Sequence, residues 1–340
     1  MKKKNNIITT GISLLFALSA MTAAAKEQEL KAVHSFPTSL IYTQSFIDYV
    51  NKVNEQGKGV IRIKVLGGPE VIGLSQQADA VRNGVVDMAA TAASFYAGRI
   101  PERDAMISSN TNAIYARASG GIDLLNQIHQ SKMGVYYLGW FDSGVKYNLY
   151  TIKKPKVTKN GGLDISGIRL RSNPVYDAFF TDYLKVQPIS LPTTDVYSAL
   201  ERSVVDATGW TQIGMKDLNW DKFLNYRIDP AFYSTDMGVI VNLKSWNKLS
   251  DDAKKILQKV AIEHEQQSAE ERAELSKEQQ IGLETRGMKP FVLSDDTAKE
   301  YLKAAKDASL ARMRERMEEH PDGLTHYDSL VEKFNDPAMQ

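Results

Sequence analysis

Arg171 is the residue whose type and position most directly suggest a chemical role. It ends a strand predicted at residues 168–171 and is followed by the polar residues Ser172 and Asn173. Open α/β sheets bind ligands beyond the carboxyl ends of their strands. A guanidinium at that place can bind a carboxylate through two parallel hydrogen bonds. The carboxylate could belong to a ligand or to a side chain of the same lobe, and position alone leaves both interpretations open.

Residues for covalent or acid–base catalysis do not form a recognisable pattern. The five histidines are scattered, and none belongs to a His-Glu-x-x-His zinc motif. The chain has no cysteine, no Gly-x-Ser-x-Gly nucleophile motif and no P-loop. The sequence therefore gives no positive support for an enzyme, and we expect a binding protein.

The elements that would position Arg171 alternate between strands and helices. Strands predicted at 30–33, 60–65 and 85–90 are separated by helices at about 40–55 and 74–83. This alternation is typical of a parallel sheet in an α/β lobe.

Part of this pattern is repeated later in the chain. Residues 80–87 (AVRNGVVD) are echoed by residues 199–206 (ALERSVVD), each preceded by a loop that contains proline. We interpret the echo as shared lobe architecture, with a second α/β unit at about 160–210. Two such units leave a cleft between them, and clefts between domains are where small ligands bind.

A long helix is predicted from about Ser250 to Arg286. Ser250 is a good N-cap, Gly287 follows the helix, and no proline interrupts it. Its apolar heptads are too broken for a sustained coiled coil, so we expect a strut that bridges both lobes.

The first residues predict export. Lys2, Lys3 and Lys4 precede an apolar run at 7–20, and small residues close it before Lys26. This is the layout of a secretory signal peptide, cleaved after about Ala25, and the run is short for a membrane span. Loss of the three lysines changes the formal charge from +1 to −2. We therefore expect a periplasmic protein that binds neither nucleic acid nor anionic membranes.

Several of these motifs together resemble the extracytoplasmic solute-binding subunits of TRAP transporters, the DctP-type family. They are Gly-Gly-Pro-Glu at 67–70, Asn-Gly-Val-Val-Asp at 83–87, Gly-Ile-Arg-Leu-Arg at 167–171 and Asp-Val-Tyr-Ser-Ala-Leu at 195–200. The resemblance implies a two-lobed periplasmic binding protein that captures a small organic acid by lobe closure and delivers it to membrane permease subunits. It also implies that Arg171 binds the ligand carboxylate.

Two positions restrict the ligand that the resemblance implies. Many members carry a second arginine where this chain has Asn148, which argues against a dicarboxylate and makes Asn148 itself a predicted ligand contact. Trp210 stands where sialic-acid-binding members have asparagine, and a similar motif occurs in members that bind 2-oxo or 2-hydroxy monoacids, sometimes through a metal ion. We expect a monocarboxylate, a 2-oxo or 2-hydroxy acid or a sugar acid, with Trp210 as a flat apolar wall.

Other ligand contacts are predicted from position at strand ends and in loops, or from the family: Ser35, Phe36, Glu70, Ser94, Tyr96 and Asp236. Glu70 and Asp236 could complete a site for a hard cation together with the ligand carboxylate. No other cofactor is expected.

We predict lobe I at residues 26–147 and 235–275, lobe II at 148–234 and 276–330, and a tail at 331–340, in a monomer. Two alternatives stay open. The protein could serve a sensor kinase instead of a permease, or it could be a periplasmic enzyme that acts on a similar acid.

Overall fold

The computed structural model describes residues 26–158, 162–173 and 175–339, so the predicted signal peptide at 1–25 lies outside the described residues. The strands are β1 (Gln28–His34), β2 (Ile61–Gly67), β3 (Met88–Ala92), β4 (Val135–Trp140), β5 (Tyr147–Thr151), β6 (Lys156–Val157), β7 (Leu163–Asp164), β8 (Leu170–Ser172), β9 (Ile189–Ser190), β10 (Ala207–Thr211), β11 (Tyr226–Asp229), β12 (Met237–Asn242) and β13 (Lys289–Val292). The α-helices are α1 (Ile41–Gln56), α2 (Gln77–Arg82), α3 (Asp104–Ile107), α4 (Ala113–Ala118), α5 (Gly121–Met133), α6 (Asp177–Asp182), α7 (Val196–Glu201), α8 (Leu243–Lys248), α9 (Asp251–Thr285), α10 (Asp295–Glu318) and α11 (Tyr327–Lys333). Within the described ranges, none of the helices combines the length and the apolar character needed to cross a bilayer.

The strands form two main sheets, which confirms the predicted two-lobed α/β architecture. The first sheet has the order β2-β1-β3-β12-β4, and the second has the order β13-β11-β5-β10-β8-β9. The core strands of each sheet are not all parallel as expected. β12 runs antiparallel to β3 and β4, and β5 runs antiparallel to β10 and β11. Both are the strands at which the chain changes sheet: β5 enters the second sheet directly after β4 of the first, and β12 enters the first sheet directly after β11 of the second.

The repeated sequence forms the same structure twice. In the first copy the Asp87 amide donates to Lys31 O (2.9 Å), and the Asp87 carboxylate accepts from the Lys31 amide (2.8 Å). In the second copy Asp206 makes the same pair of contacts with Arg169, at 2.7 and 3.3 Å. The preceding turns also match, because the Val85 amide donates to Ala80 O and the Val204 amide donates to Ala199 O, in each copy seven positions before the aspartate. Lys31 and Arg169 are therefore equivalent positions.

The Val-Val-Asp segments are turns, so the prediction that a strand begins at Val85 is wrong. Gly84 (φ +74°) and Ser203 (φ +52°) adopt the left-handed conformation that reverses the chain, and the strands begin only at Met88 and Ala207. As a result Val85 is 69% exposed while the next residue, Val86, is buried.

Helix α9 confirms the predicted long bridging helix. The Ser250 hydroxyl accepts from the Ala253 amide as the N-cap. Near its beginning Leu257 and Val260 pack in the core of the first sheet, and near its end Leu283 packs in the core of the second. Apolar residues are sparse between these two ends, so buried polar side chains anchor the middle of the helix instead.

Helix α10 forms where the sequence predicts a helix, at about 295–318, but its role as a second bridge between the sheets was not predicted. Tyr301 and Ala305 belong to the core of the second sheet, while Met313 and Met317 belong to the core of the first. Phe334, after α11, packs on the first sheet as well, with its ring 5.9 Å from that of Trp140. The predicted lobe boundaries stay a prediction, and we propose that the chain from about residue 309 onward belongs with lobe I.

Candidate ligand site between the two sheets

Equivalent strand ends of the two repeats line one cavity. Phe36 follows β1 and Ala92 ends β3 in the first sheet, and Asn173 follows β8 and Thr211 ends β10 in the second. The other lining residues are Tyr42, Phe95, Tyr147, Val175, Thr193, Trp210, Thr235 and Met237. The cavity is about 20 Å³, enough for roughly one water molecule. A molecule larger than water would enter only when the two sheets move apart.

The aromatic wall of the cavity comes from both sheets. The rings of Phe36 and Trp210 meet edge to face with centroids 6.3 Å apart, and Phe95 lies 5.9 Å from Phe36. Trp220 packs behind Trp210 at 4.7 Å. The indole N–H of Trp210 donates to Ile213 O (3.1 Å), so its donor is used within the protein. Trp210 therefore presents an apolar surface, and of the predicted contacts it and Phe36 line the cavity.

Arg171 is fully buried beside the cavity, although it is not one of the lining residues. Its Nε and Nη2 donate to Leu191 O at 2.9 and 2.7 Å. Its Nη1 donates to the Tyr176 hydroxyl at 2.6 Å and lies 3.5 Å from Thr208 Oγ1. All of these acceptors are neutral.

The other buried arginines show how unusual this arrangement is. Among the described residues, Arg103 pairs with Asp104, Arg227 with Asp229, Arg272 with Asp142 and Arg312 with Asp104, all at 2.8 or 2.9 Å. Within the same residues no carboxylate lies within 4.0 Å of Arg171, although burial raises the pKa of the Asp177 carboxyl and Arg171 lowers it from a longer distance. Leaving a buried cation without a directly bonded counter-charge costs up to several kcal/mol, on the order of what breaking a buried ion pair costs. Arg171 thus has the electrostatic character of a site for an anion.

The hydroxyl of Tyr147 interacts electrostatically both with Arg171 and with a buried acid, Asp236. Tyr147 lines the cavity, and burial raises the pKa of its hydroxyl well above the usual range. Asp236 adds to that increase in pKa, and Arg171 opposes it. Both charged groups therefore act on the same hydroxyl at the cavity wall.

Asp236 is fully buried behind the neighbouring lining residues Thr235 and Met237. Its Oδ2 accepts from the Ser94 amide (2.6 Å) and from the Ser94 hydroxyl, and Arg103 Nη1 lies 3.9 Å away. Its Oδ1 has no hydrogen-bond partner among the described residues. Burial raises the pKa of Asp236, while Arg103 and the bonds from Ser94 lower it. Ser94 and Asp236 thus form a pair next to the cavity rather than on its surface.

The remaining predicted contacts make other interactions. Asn148 donates to Ile228 O (2.8 Å) and to Asp229 Oδ1 (3.0 Å), tying β5 to β11. The Ser35 hydroxyl donates to Gln77 Oε1 (2.7 Å), and the Tyr96 hydroxyl lies 3.1 Å from His129 Nε2 in the core of the first sheet. Their roles as ligand contacts stay predictions.

The suggested cation site has little support from these positions. Glu70 is exposed in its loop, where it accepts from the Gly68 amide (2.6 Å), and this bond lowers the pKa of Glu70. Asp236, in contrast, is fully buried. Within the described part of the chain, no three acidic or histidine side chains group as metal ligands.

The sequence did not single out several lining residues. Tyr42, Tyr147, Thr193 and Met237 come from segments far apart in the chain, and only folding brings them together. Tyr147 carried the clearest hint, because it begins a strand next to the predicted contact Asn148.

Two sheets joined by crossing segments, with a cavity where their strand ends meet, define a two-lobed solute-binding protein. The chain belongs to the bacterial extracellular solute-binding proteins of family 7, the DctP family, whose model matches residues 33–316.

Individual relatives agree with this assignment. The chain is 23% identical over 265 residues to a monocarboxylate 2-oxoacid-binding periplasmic protein of Nostoc sp., which covers 72% of this chain and 68% of that protein. The fold matches an extracytoplasmic solute receptor of Bordetella pertussis that binds pyroglutamic acid, with a TM-score of 0.76, 16% identity and coverage of 90% and 99%. It also matches a TRAP transporter solute-binding protein of Bordetella bronchiseptica with copurified calcium and picolinate, with a TM-score of 0.76, 21% identity and coverage of 91% and 92%.

Proposed function

We propose that this TRAP solute-binding protein captures a small organic acid with a single carboxylate, which Arg171 binds. The observation that carries the proposal is the fully buried guanidinium without a carboxylate partner among the described residues. A ligand carboxylate would supply a directly bonded counter-charge through charge-assisted hydrogen bonds. Among the described residues, Arg171 is the one fully buried arginine with no carboxylate within 4.0 Å, which favours a monocarboxylate over a dicarboxylate.

The residues that line the cavity favour a ligand whose part beyond the carboxylate is flat or ring-shaped. Phe36, Phe95 and Trp210 offer apolar ring surfaces, and Thr193 offers a hydroxyl group. The Thr211 hydroxyl donates to Ile213 O (2.7 Å) and can only accept from a ligand. Pyroglutamic acid and picolinate, bound by the two Bordetella receptors, are ring-bearing monocarboxylates. The Nostoc relative is named for monocarboxylate 2-oxoacids, which carry the same anionic group.

We further propose that the ligand is captured in the periplasm by closure of the two lobes and then delivered to membrane permease subunits by the monomer. The chain crosses between the sheets at residues 141–146, after β4, and at residues 230–236, after β11. These short segments are the candidates for hinges. Because the cavity is about 20 Å³, the described conformation corresponds to a nearly closed cleft.

Titration calorimetry with matched ligands tests the carboxylate directly. We expect pyroglutamic acid or picolinate to bind, and pyroglutamide or picolinamide, which differ only in the acid group, to bind much more weakly. Glycerol 3-phosphate belongs in the panel because a phosphate also satisfies a guanidinium. Repeating each titration with calcium and with a chelator tests whether a cation takes part. Equal affinity for acid and amide would refute the proposal.

Substitution of Arg171 tests the anchor. Arg171→Ala should weaken binding of the best acid by roughly 2–3 kcal/mol, about 30- to 150-fold, because charge-assisted hydrogen bonds are lost. Arg171→Lys keeps the charge but not the planar fork and should be intermediate. The matched control is Arg169→Ala, since the Arg169 side chain is 51% exposed and pairs with Asp206. If Arg171→Ala folds and keeps the parent affinity, Arg171 is not the anchor.

The two alternatives need separate tests. Recovery of chemically unchanged acid after prolonged incubation would argue against an enzyme. Ligand-dependent binding to purified permease subunits, compared with binding to the sensor domain of a histidine kinase, would distinguish transport from sensing.

A further inference from the structure

Tyr176 lies between Arg171 and the neighbouring strand. Its hydroxyl accepts a hydrogen bond from Arg171 Nη1 (2.6 Å) and donates one to Gly209 O on β10 (2.7 Å). The side chain is fully buried, so solvent does not compete for either bond. Burial raises the pKa of Tyr176, which keeps the hydroxyl protonated and able to donate. The guanidinium is thereby linked to the backbone of a second strand.

The ring of Tyr176 has only the space that a glycine leaves. A Cβ at position 209 would lie 2.8 Å from Cε1 and Cζ of Tyr176, closer than such contacts occur. The centroid of the ring is also 4.8 Å from that of Phe180 and 5.8 Å from that of Tyr147, which lines the cavity. The position of the hydroxyl is therefore fixed by packing against the β10 backbone and against these two rings.

The hydrogen bonds of Arg171 also determine which of its donors remain. A guanidinium has five N–H groups. Leu191 O accepts from Nε and Nη2, and Tyr176 accepts from Nη1, while Thr208 Oγ1 at 3.5 Å is at the limit of a hydrogen bond. One N–H of Nη2 is left, and the second N–H of Nη1 has only the long contact with Thr208 Oγ1, which a carboxylate can replace. With that exchange the Nη1–Nη2 edge can hold one carboxylate in a bidentate manner, whereas the Nε side is occupied.

We propose that Tyr176 is a positioning residue that orients Arg171 so that its Nη1–Nη2 edge binds the ligand carboxylate, and that Gly209 is required for this placement. The inference rests on the proposed function and deepens it. Leu191 O fixes one side of the guanidinium, and Tyr176 fixes the other.

Tyr176→Phe tests the inference, because it removes only the hydroxyl. We expect the affinity for the acid to fall by about 10-fold, the effect of losing one hydrogen bond to a charged group, with little change for the matched amide. The measured quantity is the ratio of acid to amide affinity in picolinate and picolinamide titrations. General loosening of the site would weaken both ligands and leave the ratio unchanged.

Tyr301→Phe is the matched control. Tyr301 is also fully buried in the core of the second sheet, and its hydroxyl has no hydrogen-bond partner among the described residues. This variant should keep the parent ratio. A folded Tyr176→Phe with the parent ratio would overturn the inference, whereas a parent protein that does not distinguish acid from amide would instead refute the proposed function.

A crystal structure of the parent protein with picolinate provides a test that does not depend on a variant. The inference expects both carboxylate oxygens within hydrogen-bond distance of Nη1 and Nη2, with Leu191 O retained on the Nε side. A carboxylate bound through Nε, with Leu191 O displaced, would contradict it.

Discussion

Among the described residues, Arg171 differs from the other buried arginines because no carboxylate lies within ion-pair distance of its guanidinium. Its residue type and its place at a strand end could be predicted from the sequence, because both depend on local pattern. The absence of a neighbouring carboxylate could not, since it depends on which segments pack around the strand. The contacts of Tyr176 show the same difference. Its hydrogen bond with Arg171 joins residues five positions apart in the chain, whereas its hydrogen bond with Gly209 depends on how distant segments fold together.

Gly209→Ala is a prediction at this scale. The added Cβ would collide with the ring of Tyr176, so we expect about 1–3 kcal/mol of destabilisation, the usual cost of overpacking, and weaker binding of the acid. Urea unfolding and calorimetry measure the two effects. Gly98→Ala is the control, because its Cβ would have no atom within 4 Å. Equal free energies of unfolding for the two variants would show that the Tyr176 ring can move aside without loss of stability.

At the scale of elements, α9 was predicted well because its end signals are local. Ser250 and Gly287 mark its limits. The helix begins one residue after Ser250 and ends two residues before Gly287. The sequence did not explain how so polar a helix could be held. Glu265 accepts from the Trp140 amide (2.7 Å) and pairs with Arg117 (2.6 Å), and Arg272 pairs with Asp142 in the first crossing segment (2.8 Å). These buried ion pairs attach the helix to the rest of the protein where it lacks a continuous apolar face.

Glu265→Ala should therefore destabilise the protein strongly. It leaves the Arg117 guanidinium and the Trp140 amide without their acceptor, and we expect a loss of about 3 kcal/mol in the free energy of unfolding. Lys259→Ala, on the same helix, breaks an exposed pair with Glu263 and should cost less than about 0.5 kcal/mol. Chemical unfolding of both variants provides the comparison, and similar costs would mean that the buried pair does not anchor α9.

At the scale of the whole molecule, two buried histidines make stability depend on pH. Burial lowers the pKa of His129 from 6.5 to about 4 and that of His264 from 6.5 to about 3. Between pH 6.5 and about 4, the unfolded chain binds protons at these sites that the folded protein does not. The free energy of unfolding therefore falls as the pH decreases, by up to roughly 1.4 kcal/mol per pH unit for each histidine.

His264→Gln should reduce this dependence. The amide can keep the contact that His264 Nε2 makes with the Ser45 hydroxyl (2.9 Å) but does not titrate. We expect the variant to lose less stability than the parent between pH 7.5 and 5.0 in urea unfolding. Buried carboxyl groups with a raised pKa, such as Asp236, act in the opposite direction but equally in both proteins. If the free energy of unfolding changes equally with pH in parent and variant, His264 does not contribute to the pH dependence of stability.

The place of β12 in the first sheet has a consequence for the order in which the molecule can be built. β12 lies between β3 and β4, with Met237 opposite Ala92 and Gly238 opposite Trp140. A chain that leaves the ribosome N-terminus first exposes β3 and β4 long before their common neighbour is synthesised. Until then, both strands have an edge without its native partner, and neither core of the first sheet is complete. Such distant pairing slows folding, so the first lobe should acquire its native structure only after most of the second has been made.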